Sequence, residues 1–571
     1  MNDPSKIRLK HCFAGCLLFA ASILLSATSV AQVEGREWAE VNKPQDVARV
    51  LEFLPEGTEA GFVMMPMSDG VRLATTIFLP PGEGPWPVLF AKGFYGRFGM
   101  ARYAKNAEDG NFAFIVQDAR GKRESEGKGT FDPSLFEQHT KDLADALAWI
   151  EKQSWSDGRV GVFGGSGNGI AAYNAFLSGS PYATVSKPGN SSGTSNYWMY
   201  DNRTRRGLYS WMKNANMSVT SWPRPTVPPA DYKDGPERLA QYTPHPDSIL
   251  IAAGQWYDIV GESAVDAFAA YADKARVFVT IGPNWHGGRT EVKGEKWPKY
   301  YNRPVSMPKL SASLLNPDSV PEESLLMYYL MGDPSNPDSL GNEWRTTQTW
   351  PVPHTPTSFF LGGDGSITST IPAPDAKLSF IYDPRDPAPA YGGNGSYSIP
   401  VGPMDQSPLA EREDVLRFVS PPLPDALTIV GECRARLFIS TDAPDTQFVV
   451  KLFDLHPDGT ETLIRESAIN ARFAEGLDGT TPLQAGKVYE LNLDLWSTAK
   501  VFNPGHRIGV YITSSSLLEG PRPGREIEVY EIHPNTFEPV SSWSEAKTAE
   551  QTIHFSSQYP SSILLPVVET F

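Results

Sequence analysis

At 571 residues, 40% hydrophobic and 20% charged, the chain is too long for one ordinary domain and has the composition of a soluble globular protein of two or three domains. Its formal charge of −16 is not interrupted by any Lys/Arg cluster, which argues against nucleic acid as a partner and needs no explanation beyond solubility.

The chain opens with Lys6, Arg8 and Lys10, an uncharged apolar run from Cys12 to Leu25, and the small-x-small site Ser29-Val30-Ala31. That order predicts a cleaved secretory signal peptide over residues 1–31 and a periplasmic or extracellular destination. The apolar run is shorter than the roughly 20 residues of a membrane span, so none is expected after cleavage. Phe13-Ala14-Gly15-Cys16 is a poor lipoprotein box, because too few apolar residues precede Cys16. Cleavage would remove Cys12 and Cys16 and leave Cys433 without an internal disulfide partner. It would also remove three basic residues and Asp3, a net +2, taking the charge from −16 to −18.

Between about residues 60 and 290, short apolar runs alternate with longer amphipathic stretches. Val88 to Ala91, Phe112 to Val116, Val160 to Phe163, Ile249 to Ala253 and Val277 to Ile281 fit strands buried on both faces of a parallel sheet. From Phe136 to Lys152, Leu143, Leu147 and Ile150 form an apolar stripe with Asp142, Asp145, Glu151 and Lys152 off it, which predicts a crossover helix. The fold class is α/β, doubly wound, over residues 32–350. From about 187 to 245 the pattern breaks into Trp-, Asn- and Ser-rich sequence with the Pro-rich stretch Trp222 to Pro229, read as a cap inserted over the site or a flap packed on the sheet. Over residues 351–571, strand-like runs such as Ala435 to Ser440, Phe448 to Leu452 and Ile508 to Thr513 recur between turn residues, predicting an all-β sandwich.

The sharpest local feature is Val160-Gly161-Val162-Phe163-Gly164-Gly165-Ser166-Gly167-Asn168-Gly169-Ile170. A strand ends in glycines around one Ser, and small residues open a helix, as in a nucleophile elbow. The strict G-x-S-x-G pattern is not met, because Asn168 holds the last position. A phosphate loop would need Lys and Ser/Thr where Ile170 and Ala171 stand, and no G-x-G-x-x-G is present.

In such a fold the acid and then the base follow the Ser along the chain, each just beyond a strand. After Ser166, only His245 and His286 lie in the α/β region. His286 follows the run Val277 to Ile281, whereas His245 sits between two prolines ahead of its strand, so His286 is the better base. Asp258 follows the run Ile249 to Ala253, with Glu262 the nearest competitor. One oxyanion donor is the amide of Gly167, and the loop Lys92-Gly93-Phe94-Tyr95-Gly96 offers the phenol of Tyr95 as a second. Asn168, Trp198, Trp256 and Trp285 are the candidate pocket residues.

Together, Lys92-Gly93-Phe94-Tyr95, Gln117-Asp118-Ala119-Arg120-Gly121, Ser125-Glu126-Gly127, the Ser166 elbow, Gly254-Gln255-Trp256-Tyr257-Asp258 and Gly282-Pro283-Asn284-Trp285-His286 resemble the CocE/NonD hydrolase family. The resemblance continues through Met327 to Asp333, Trp344-Arg345, Gly431 to Asp442 and Phe502 to Ser515. It implies an α/β-hydrolase core with a helical cap and a C-terminal jelly-roll domain of galactose-binding type. It also implies a triad of Ser166, Asp258 and His286, Tyr95 and the amide after Ser166 as oxyanion donors, and no metal or organic cofactor. The family elbow usually carries Tyr after the Ser, and Gly167 and Asn168 stand here instead. The expected activity is hydrolysis of a small-molecule ester or amide, with an acylase or X-Pro dipeptidyl-peptidase as alternatives. From another class, the reading kept beside it is a polymer-binding protein with an inactive core.

Overall fold

The computed structural model describes residues 43–99, 104, 111–128, 136–191, 239–286, 288, 291–292, 295–371, 375–394, 401–475, 481–516, 535 and 546–569. The predicted signal peptide and most of the predicted cap lie outside them.

A ten-stranded sheet carries the first part of the chain. Its strands are β1 (Glu59–Pro66), β2 (Arg72–Leu79), β3 (Trp86–Gly93), β4 (Ala113–Asp118), β5 (Ser156–Gly165), β6 (Ala183–Gly189), β7 (Ile249–Gln255) and β8 (Arg276–Gly282). The two-residue strands β9 (Glu291–Val292) and β10 (Glu295–Lys296) pair only with each other, and β11 (Leu325–Leu330) and β12 (Glu343–Thr347) complete the large sheet. The spatial order is β1-β2-β4-β3-β5-β6-β7-β8-β11-β12. The stretch from β4 through β3, β5, β6, β7 and β8 to β11 is parallel, and antiparallel strands close both ends.

The parallel strands are continuous apolar runs because both faces are covered. Helices α2 (Phe136–Glu151) and α3 (Gly169–Leu177) and the helix Glu262–Tyr271 cover one face, where Leu143, Leu147, Ile150, Phe176 and Phe268 are buried. Helix α1 (Pro44–Leu51) and the short helix Leu310–Leu315 cover the other, with Val50, Leu89, Phe114 and Leu314 between them. The apolar stripe of α2 thus packs as its spacing predicts. Lys187 to Gly189, assigned to the cap from the sequence pattern, are instead the end of β6.

The large sheet ends at Thr347, and an all-β domain begins at Thr355. It comprises β13 (Thr355–Leu361), β14 (Ile367–Thr368), β15 (Ala376–Tyr382), β16 (Leu416–Val419), β17 (Leu427–Thr441), β18 (Gln447–Leu455), β19 (Glu461–Asn470), β20 (Tyr489–Phe502), β21 (Arg507–Thr513), β22 (Ala549–Phe555) and β23 (Ser562–Val568). Seven of these strands form one antiparallel sheet and β16-β21-β18-β19 a second. A common core of Ile429, Leu437, Phe448, Val450, Leu491, Val510 and Ile563 joins them, the architecture of a sandwich. Cys433 is buried there as a free thiol.

The two parts are joined by backbone as well as by side chains. Met331 N–H donates to Ala499 O at 2.9 Å, and Val501 N–H donates to Met331 O at 2.8 Å, so β20 lies alongside the end of β11. Among the described residues no helix is long and apolar enough to cross a membrane.

Candidate active site

Tyr95, Ser166, Asp258 and His286 each follow the carboxyl end of a parallel strand, β3, β5, β7 and β8 respectively. In a doubly wound sheet that edge is where loops from neighbouring strands converge. Ser166 has φ +54°, a left-handed conformation uncommon for a residue with a side chain. The turn is tight enough that a Cβ on Gly164 would stand 2.3 Å from Asn168 O, which is why glycine is needed there. Ser166 to Asn168 form one 3-10 turn that runs into α3. The amide of Gly167 belongs to that first turn, whose donors have no partner within the helix.

The three residues predicted as a triad meet. His286 Nε2 is 2.8 Å from Ser166 Oγ, and His286 Nδ1 is 2.9 and 3.1 Å from the two oxygens of Asp258. With the imidazole proton on Nδ1 and donated to Asp258, Nε2 accepts from the Ser166 hydroxyl. Asp258 is fully buried, and its Oδ1 also accepts from Val260 N–H at 3.0 Å, which fixes the carboxylate. Burial by itself would depress the pKa of His286, but the charge of Asp258 and its hydrogen bond outweigh burial and raise it above the ordinary imidazole value. An arrangement of this kind can take the hydroxyl proton and hold the resulting imidazolium.

Tyr95 is 38% exposed and lines the same cleft as Ser166, Asn168 and His286. Asn168 is buried, and its Oδ1 accepts from Phe94 N–H at 2.8 Å, tying the loop that carries Tyr95 to the elbow. The side chain that breaks the G-x-S-x-G pattern therefore has a structural use. Ser191 has a related one, since its hydroxyl donates to Ser166 O at 2.7 Å. It follows β6, a strand with only a mixed apolar pattern, and nothing local in the sequence singles it out.

Two of the predicted pocket residues are elsewhere. Trp256 is 2% exposed, its indole N–H donates to Tyr329 O at 2.8 Å, and its ring stacks on Trp350 at 6.4 Å. Trp285 packs on the sheet core and bridges through its backbone to Gly288. Neither lines the cleft, although Trp256 precedes the acid by two residues and Trp285 precedes the base by one. Trp198 lies outside the described residues. The competitor acid Glu262 points into the all-β domain, where its carboxylate accepts from Ser497 N–H and from the Ser497 hydroxyl at 2.5 Å.

The cleft has a volume of about 1420 Å³. Sequence reasoning missed most of its walls. Lys187, Arg303 and Lys309 line it, and no carboxylate does among the described lining residues. Arg303 lies over the ring of Trp344, 5.0 Å from its centroid. Lys187 lies near the end of β6, whereas Arg303 and Lys309 come from an irregular stretch, and the fold alone brings them to one wall.

The all-β domain grips the loop that bears the acid. Arg465 donates to Trp256 O and to Ser497 O, and Tyr257 OH donates to Leu463 O at 3.0 Å. Asp258 thus sits in a loop whose two preceding residues are held by β19.

An α/β-hydrolase sheet with a Ser-His-Asp chain along its carboxyl edge defines a serine hydrolase. Residues 69–246 match the family model described as X-Pro dipeptidyl-peptidase (S15 family), and residues 322–564 match its C-terminal non-catalytic domain. The chain is 29% identical to cocaine esterase of Rhodococcus sp. (strain MB1 Bresler), over 89% of this chain and 98% of that one. Two solved structures share the fold at 20% identity. An aminopeptidase from a marine sediment Thaumarchaeota archaeon superposes with a TM-score of 0.67 over 94% of this chain and all of that one. An α-amino acid ester hydrolase does so with a TM-score of 0.66 over 95% and 100%. The chain belongs to the CocE/NonD family of serine hydrolases, enzymes that cleave ester or amide bonds.

Proposed function

We propose that this hydrolase is an exported esterase acting on small-molecule carboxylic esters through an acyl-enzyme on Ser166. The observation that carries the reading is the contact of 2.8 Å between His286 Nε2 and Ser166 Oγ, with Nδ1 held by Asp258. His286 takes the Ser166 proton as Oγ bonds to the acyl carbon. The Gly167 amide and the Tyr95 hydroxyl donate to the oxyanion, and His286 returns the proton to the departing alcohol. Water, deprotonated by the same imidazole, then releases the acid and restores Ser166. Export rests on residues 1–31, and amino-terminal sequencing of the secreted product should begin at Gln32.

A second reading is amide or X-Pro peptide cleavage by the same groups, as the description of the matched family models suggests. A free peptide amino terminus is an ammonium, and the described cleft residues offer it Lys187, Arg303 and Lys309 but no carboxylate. Esters that are neutral or carry an anionic group suit that wall better. Turnover of matched ester, β-lactam amide and X-Pro anilide substrates tests this, with ester kcat/KM expected at least a hundredfold above the others. Faster cleavage of the X-Pro substrate would overturn the ester reading. Fluorophosphonate labelling that persists in Ser166→Ala would overturn the nucleophile.

A further inference from the structure

Outside the cleft of Ser166, three side chains converge where the all-β domain meets the large sheet. Asp333 follows β11, His456 follows β18, and His506 lies between β20 and β21. One ligand atom from each lies within 4.8 Å of the others. The separation is 123 residues between the first pair and 50 between the second, so no motif announces them.

In each of the three, the other polar atom is already held. Asp333 Oδ1 accepts from Ser335 N–H at 2.9 Å and from its hydroxyl at 2.6 Å. His456 Nε2 is 3.0 Å from Thr462 Oγ1 and 3.6 Å from Asp454 Oδ2. His506 Nδ1 is 2.9 Å from Asp454 Oδ1. The atoms left over are Asp333 Oδ2, His456 Nδ1 and His506 Nε2. Both imidazoles are buried, and their rings are 4.5 Å apart. Orientation of one ring nitrogen by a carboxylate or hydroxyl, with the other left to a metal, is how metal-binding histidines are commonly held.

The spacing supports this. His456 Nδ1 stands 3.7 Å from Asp333 Oδ2, beyond a hydrogen bond. Two ligands at about 2.0–2.1 Å from one tetrahedral ion stand about 3.3 Å apart, so a small closure brings the pair onto a shared cation. Without a cation, or a proton on Nδ1, a nitrogen lone pair and a carboxylate oxygen face each other. The nearby charge is already balanced, since Lys500 Nζ pairs with Asp454 Oδ2 at 2.8 Å, leaving Asp333 as the anion that remains. Two imidazole nitrogens and one carboxylate select zinc or a similar divalent ion over calcium or magnesium, which prefer oxygen.

The geometry points to a zinc-class metal site formed by Asp333, His456 and His506 that staples the all-β domain to the hydrolase sheet. Its role is structural, because none of the three side chains lines the cleft that holds Ser166 and His286. The alternative is that a proton on His456 does the same work with no metal.

The test uses the full-length protein without a histidine tag, stripped with EDTA and then given zinc chloride. Desalted protein should retain one zinc per chain, and its unfolding midpoint should rise by about 3 °C or more. Initial turnover of a nitrophenyl ester should be unchanged by the stripping. Asp333→Asn and His506→Gln should each lose the bound zinc and the shift. X-ray absorption at the zinc edge of the wild-type protein should count two imidazole ligands, whether or not either variant folds. No retained zinc with no shift, retention undiminished in both variants, or a zinc site without two imidazoles would each overturn the proposal.

Discussion

The parallel sheet and the all-β domain both build the surroundings of the candidate site, but by different means. The sheet supplies the groups themselves: Tyr95, Ser166, Asp258 and His286 all stand at the carboxyl ends of its strands. The all-β domain supplies constraint. Arg465 holds Trp256 O, Leu463 O holds the Tyr257 hydroxyl, and Ser497 holds Glu262, so the acid loop is gripped on both sides of Asp258. A domain with no reacting group can therefore still govern the geometry of one, because catalysis is sensitive to displacements of about 1 Å.

The comparison breaks most sharply if the reacting groups are not those on the sheet. Ser166→Ala should lower kcat by about a millionfold with substrate binding and unfolding temperature unchanged. Steady-state turnover and thermal unfolding measured together would check it.

Asp258→Asn should cost about ten-thousandfold in kcat, because the imidazole loses the partner that fixes its tautomer. It should also move the pH profile. Hydrolysis needs neutral His286, whose pKa the Asp258 carboxylate raises against the depressing effect of burial. In the wild type the acid limb of kcat/KM should lie above the ordinary imidazole value of about 6.5, and in Asp258→Asn it should fall below it. The same shift makes the His286–Asp258 pair stabilising below about pH 6.5, with that stability lost as pH rises through the folded pKa.

Arg465→Met tests the other side of the comparison. It removes both carbonyl contacts while keeping an apolar stem. The expected result is a tenfold to roughly hundredfold fall in kcat, with fluorophosphonate labelling of Ser166 slowed in step. Unaltered kcat would mean that the all-β domain does not govern the acid loop.

The smallest effect concerns pH and stability. Burial, followed by the charge of Asp494, pushes the Glu262 carboxyl up to about 7, against the opposing pull of Arg465 and Ser497. The folded protein therefore binds a proton that the unfolded chain releases near the ordinary value of about 4.3. The resulting stability is complete below that value and is lost as pH rises through about 7. Glu262→Gln should flatten this slope, as denaturant midpoints measured between pH 4 and 8 would show. A wild-type slope that persists in the variant would remove Glu262 from the account.

Periodicity and chain order made much of the sheet legible. Val88 to Ala91, Phe112 to Val116 and Val277 to Ile281 are continuous apolar runs because two helical layers cover them, and each lies in or across an observed strand. β1 and β2 were harder to read, since their faces alternate less evenly and they pair antiparallel at an edge. Ser166, Asp258 and His286 were legible because a parallel sheet delivers its loops to one edge, so that strand order alone restricts which residues can meet.

The tertiary structure alone decided which way the flanking rings point. Trp256 and Trp285 sit close to the acid and the base in sequence, yet Trp256 is buried in the core and Trp285 packs half-buried against it, since neighbours in a loop need not share a surface. It also decided what Asn168 does, which is to hold Phe94 N–H 74 residues away. The Arg465 clamp and the cluster of Asp333, His456 and His506 join segments more than a hundred residues apart. Local pattern in a sequence records the period and capping of single elements. Contacts between elements are set by how their buried faces pack, and that packing leaves no periodic trace in the chain.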